Sequence, residues 1–126
     1  MAAAGSTHLL RMIPAVLAGA VAAFALTPDT ARAEILRGQA SYYSHAGRTA
    51  SGEVFRPGDM TAAHRTLPFG ARVRVTDVLS RRSIVVRIND RGPFTRGRII
   101  DVSRGAAEVL GMTGMGVTAV ELEVLK

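Results

Sequence analysis

The sequence predicts a small all-β domain, a compact β-barrel with one short helix. Three observations lead there. Runs of β-branched and alternating apolar residues recur between turn-forming residues from Leu36 to Leu125, only one segment has helical periodicity, and the 126 residues include no cysteine. Without disulfide staples, so small a domain needs a well-packed architecture that leaves few strand edges open, and a closed sheet provides it.

The first 33 residues are read separately. His8 and Arg11 give a weakly positive start, Met12 to Leu26 is almost wholly apolar, and Ala31-Arg32-Ala33 places small residues at cleavage spacing. This is the layout of a secretory signal peptide. The apolar run of 15 residues is short of the roughly 20 that cross a bilayer, which weighs against a retained anchor. The expectation is a signal peptide over 1–33 cleaved after Ala33, a mature domain over 34–126, and a periplasmic or secreted location.

Leu36 to Tyr43 opens the mature domain as a strand. Ala71 to Asp77 ("ARVRVTD") alternates, with Val73 and Val75 on one face and Arg72, Arg74 and Thr76 on the other, the period of a half-buried strand. Ser83 to Asn89 ("SIVVRIN") is mostly apolar and reads as a more buried strand, joined to the previous one through Leu79–Arg82. Arg98 to Val102 and Thr118 to Leu125 complete five strands. The helix follows Ser103, a residue suited to accept from first-turn amides. Ala106, Ala107, Val109 and Leu110 form its apolar face and Gly111 closes it. Met112 and Met115 are expected to plug the edge of the core. Ser44–Asp59 and Met60–Gly70 read as two long polar loops, where small all-β scaffolds tend to carry their chemistry.

Charge narrows the partners. Setting Arg11, Arg32 and Asp29 aside from 16 basic and 10 acidic residues leaves 14 and 9, and 13 of the 14 are arginine. Arginine forks suit carboxylates and phosphates, so a polyanion is one reading and a basic surface kept for solubility is the other. Export and the five mature aromatics, with no stacking motif, argue against nucleic acid and for a cell-wall polymer. A monomer is the expectation. Cysteine chemistry is impossible, no serine-nucleophile elbow occurs, and His45 and His64 lack metal-ligand spacing. Neither a metal nor an organic cofactor is expected.

Three titratable residues sit among residues that direct the backbone: Glu53 after Gly52, His64 ahead of Pro68 and Gly70, and Asp90 before Gly92-Pro93. Were Asp90 still in the strand, Arg91 would point to the opposite face and leave it unneutralised. A half-desolvated carboxyl at a barrel rim gains affinity for a proton, as a general acid requires. Each residue also has a plainer reading. Asp90 suits a turn cap, Glu53 a solvated loop charge, and His64 a satisfied structural histidine.

The blocks "GQASYYS", "RTASGEVF", "MTAAHRTLPFGARVRV", "VVRINDRGPFTRGRIIDVS" and "AAEVLG" resemble, in that order, the rare lipoprotein A family of septal-ring lytic transglycosylases. The resemblance covers Gly38 to Leu125. It implies a six-stranded double-psi β-barrel similar to the expansin core. It also implies cleavage of peptidoglycan between N-acetylmuramic acid and N-acetylglucosamine, with a 1,6-anhydro product. By motif, Asp90 would be the acid and base, with Glu53 and His64 orienting the sugar or its proton, and Tyr43, Thr49 and Arg91 contacting the groove. Compared with many relatives the Tyr43–Thr49 loop is short and lacks a phenylalanine, no cysteine follows the signal to take a lipid, and no glycan-binding C-terminal repeat is present. The expectation is therefore a protein without a lipid anchor and with one groove wall altered. The competing function is a non-catalytic, expansin-like module that holds glycan without cutting it.

Overall fold

The computed structural model describes residues 34–44 and 47–125. The expected signal peptide, residues 1–33, lies outside the described residues, as does His45. Six strands and one helix follow in the order β1 (Ile35–Tyr43), β2 (Thr61–Ala63), β3 (Arg72–Asp77), β4 (Ser83–Asp90), β5 (Arg98–Ser103), α1 (Arg104–Leu110) and β6 (Val117–Val124). They close into a barrel ordered β1-β5-β2-β4-β3-β6. The β1–β5 and β2–β4 pairs are parallel and the other four antiparallel.

Alternation places the core as expected. Val73 and Val75 of β3, Val86 and Ile88 of β4, Ile100 and Val102 of β5, and Val120 and Leu122 of β6 are all buried inside the barrel. Burying each such side chain contributes about 1.5–3 kcal/mol before its entropy cost is counted. Helix α1 closes one side with Ala106, Ala107 and Leu110. Ser103 Oγ accepts from the Ala106 amide at 3.2 Å, and Gly111, at φ 73°, returns its N–H to the carbonyls of Ala107 and Glu108. Val109 sits at the edge of the apolar face and stays 49% exposed. Met112 does plug the core at 1% exposure, but Met115 is exposed, so only one of the two methionines fills that role.

The other departure is β2. Thr61-Ala62-Ala63 reads as loop in the sequence yet is a strand buried at all three positions, paired with β4 on one side and β5 on the other. Both of its faces are covered, so it has no polar partner residue to alternate with.

Candidate active site

The site is organised around an irregular register. Ala62 pairs with Ile88, but the next residue, Ala63, pairs with Asp90, so Asn89 is an extra residue in β4. Such a bulge changes which side chain faces a given neighbour. Here it sets Asp90 beside Ala63, and Ala63 is also opposite Asp101 of β5, which in turn pairs with Ser41 of β1. A row Asp90–Ala63–Asp101–Ser41 therefore crosses four strands. With strands about 4.8 Å apart, the two aspartates lie roughly 10 Å apart at Cα. The small Ala63 between them leaves a cleft of about 260 Å³ lined by Tyr43, Ala63, Asp90, Arg91 and Asp101.

Asp90 ends β4. Its Oδ1 accepts two backbone amides, Ala50 N at 2.8 Å and Arg91 N at 2.9 Å, while Oδ2 takes no hydrogen bond from any described residue. Arg91 follows the end of β4 and lines the same cleft as Asp90, not the opposite face the alternation would give, with its guanidinium engaged elsewhere. Its Nη1 donates to the carbonyls of Leu67 at 2.8 Å and His64 at 3.2 Å, and the guanidinium lies 4.0 Å over the Phe69 ring. It adds positive charge to the cleft wall without bridging the carboxylate. Asp101 Oδ1 accepts the Ser41 hydroxyl in a short hydrogen bond. Burial first, then the charges of Asp90 and Asp101, push the Tyr43 phenol up and keep it protonated. Its ring stacks on Phe55 at 4.9 Å.

The remaining predicted residues stand behind this cleft. Glu53 belongs to a tight hairpin: Arg48 bridges Val54, Thr49 N donates to Glu53 O at 2.8 Å, and Gly52, at φ 93°, makes the turn. Its carboxylate meets Arg87 at two points, Nη1–Oε2 at 2.5 Å and Nη2–Oε1 at 3.0 Å, and accepts from Asn89 Nδ2 at 3.3 Å. The Arg87 hydrogen bonds outweigh the opposing effect of burial, and with Asn89 they hold the Glu53 carboxyl down at about 2. Glu53 is thus ionised at neutral pH and has no proton to donate. Thr49 is buried, with Oγ 3.0 Å from Ser51 Oγ, and does not line the cleft.

His64 is 8% exposed, and its Nδ1 accepts the amides of Thr66 and Leu67, each at 3.1 Å. Burial first, then the charges of Arg65 and Arg91, lower its proton affinity. The ring is therefore neutral at pH 7, with its proton on Nε2 as inferred from these bonds. Its own amide donates to Asp90 O at 3.2 Å, so His64 closes the turn beside β4. The structure brings Tyr43, Asp90 and Arg91 together on the cleft and sets Thr49, Glu53 and His64 around its frame. Asp101 is the lining residue that sequence reasoning missed. Its one signal is a carboxylate between two buried apolar residues in "IIDVS". Among the described residues there is no cluster of three or more potential metal ligands.

A family model described as lytic transglycolase matches residues 35–122. The chain belongs to that family. It is 65% identical over 94 residues to a protein of Nostoc sp. named "Probable endolytic peptidoglycan transglycosylase RlpA", an alignment covering 71% of this chain and 25% of that one. The chain thus spans about a quarter of that relative's length. Two solved structures share the barrel. Streptomyces papain inhibitor superposes with a TM-score of 0.62 at 23% identity, covering 74% of this chain and 96% of the inhibitor. Apo expansin from Clavibacter michiganensis gives 0.60 at 19%, covering 74% and 51%. The match runs from the start of β1 into β6 and includes every residue lining the cleft, and the two structures establish the fold alone.

Proposed function

We propose that this domain is an endolytic peptidoglycan transglycosylase, active outside the cytoplasm, and that Asp90 is its acid and base. One observation carries the reading: Asp90 has one oxygen anchored by two amides and the other unclaimed beside a cleft that it shares with a second carboxylate and a phenol. Oδ2 delivers its proton to the oxygen bridging N-acetylmuramic acid to N-acetylglucosamine as the bond from C1 to that oxygen breaks. Positive charge develops at C1, where the Asp101 carboxylate stabilises it. The muramic acid C6 hydroxyl then attacks C1 and returns its proton to Asp90. No water is consumed, the product ends in a 1,6-anhydro ring, and a single acid–base carboxyl suffices, unlike the pair used by most glycoside hydrolases. Tyr43 forms part of the cleft wall, and Arg91 faces carboxylates of the polymer. Thr49, Glu53 and His64 hold the frame. The reading calls for no metal or organic cofactor.

The test is digestion of purified sacculi by the 34–126 domain, with mass spectrometry of the released fragments. Anhydro-muramic ends are the expected product. Reducing ends would mean that water, and not the C6 hydroxyl, is the nucleophile. Binding to sacculi without any release would leave an expansin-like glycan-holding module.

A further inference from the structure

Arg87 lies three residues before Asp90 on the same strand, and it makes a two-point ion pair with a residue of a different element. The side chains of Arg87 and Glu53 are 43% and 39% exposed. An ion pair this open to water contributes little to stability, so its geometry has to be explained by what it holds in place. Three attachments join the 48–54 hairpin to residues 87–89: the Arg87–Glu53 fork, Asn89 Nδ2 on Glu53 Oε1 at 3.3 Å, and Ser51 N on Asn89 O at 3.2 Å. Between Thr49 and Ser51 sits Ala50, whose amide donates to Asp90 Oδ1 at 2.8 Å. The hairpin's position therefore decides which oxygen of Asp90 is taken.

We infer that Arg87 is a positioning residue for Asp90. Its fork on Glu53 pins the 48–54 hairpin to β4, keeps the Ala50 amide on Oδ1, and so leaves Oδ2 as the oxygen that faces the sugar. This assigns Glu53 a function exercised through Arg87 and the backbone, with no contact to substrate. It rests on the reading of Asp90 given above. A lysine at position 87 keeps the charge but offers a single point of contact, so the fork, more than the charge, sets the hairpin's direction. Glu53 stays ionised far below neutral pH, so the fork holds at neutral pH.

The experiment measures sacculus digestion by the wild-type domain and by Arg87→Lys, Arg87→Glu, Glu53→Arg and the double reversal Arg87→Glu/Glu53→Arg. Amide exchange of Ala50 is followed by NMR in the same proteins. We expect Arg87→Lys to lose about 10-fold in kcat, and each single reversal about 10- to 100-fold, all with KM within about 2-fold. Ala50 should exchange faster in each, while amides of the β3–β6 pair remain protected. The double reversal should regain at least about 10-fold over either single variant. If the wild type releases no anhydro ends, the reading of Asp90 is at fault. If the wild type is active and the variants match it in kcat, or lose protection across the whole barrel, the positioning role is wrong.

Discussion

Two aspartates end neighbouring antiparallel strands, one at each end of the barrel, and they differ in what is left over. Asp77 ends β3, is 6% exposed, and is fully engaged: Oδ1 accepts the amides of Leu79 and Ser80 at 2.8 and 3.0 Å, and Oδ2 accepts the Thr118 hydroxyl at 3.0 Å. Burial opposes its charge, but the hydrogen bonds from Ser80, Thr118 and Leu79 prevail and lower its pKa. Asp90 ends β4 and accepts two amides on one oxygen only. Asp77 caps a chain reversal, whereas Asp90 ties the end of β4 to the 48–54 hairpin through the Ala50 amide. Only Asp90 keeps an unclaimed oxygen beside a cleft with a second carboxylate. A structural anchor and an acid are therefore compatible roles for one side chain, and the oxygen left over is what sets Asp90 apart from Asp77.

The comparison breaks most readily at the chemistry. Asp90→Asn should lower the rate of anhydro-end release by at least about 100-fold, the usual scale of general-acid contributions, with a urea midpoint close to wild type. Asp101→Asn should cost about 10-fold in kcat, because it removes charge stabilisation while the proton donor stays. At the other end, Asp77→Ala should leave kcat alone but destabilise the domain by about 2–3 kcal/mol in urea unfolding, since it strands buried donors. Were Asp77→Ala to abolish turnover in a folded protein, the two ends could not be assigned separate duties.

Acid should separate the ends as well. The native pKa of His64 lies below the ordinary 6.5, so the unfolded chain takes up a proton that the native ring refuses. Stability present above pH 6.5 is then lost as pH falls, by up to about 1.4 kcal/mol per pH unit for one proton. Asp77 is also depressed, from 3.8, and its contribution fades only as pH drops through that lower range. Urea midpoints between pH 7 and 5 should decline in wild type and flatten in His64→Asn, whose Oδ1 still accepts the Thr66 and Leu67 amides. The smallest effect belongs to Leu79, 80% exposed beside Asp77. Leu79→Ser should change neither kcat nor stability by more than about 0.5 kcal/mol.

Much of the barrel was legible because β3 and β6 bury one face each and write that geometry as alternation. The strand β2 was hidden, since two alanines and a threonine buried on both faces carry no period. The apolar run from Ser83 to Asn89 put Asp90 at a strand end, and it is the last residue of β4. That run offered no sign of the extra residue Asn89, because a bulge is a matter of register between strands far apart in sequence. For the same reason Glu53 looked like a free loop charge, although its partner Arg87 lies 34 residues on. Long-range pairing of this kind leaves no local trace. His64 shows both readings meeting in one residue, a motif histidine whose ring closes a turn.

The most direct measurement compares wild type with Asp90→Asn on the same sacculi, recording bound protein and anhydro ends released in parallel. The account predicts equal binding, with release at least about 100-fold slower in the variant. Undiminished release by a folded Asp90→Asn protein would contradict it, because the proton would then have to come from elsewhere in the cleft.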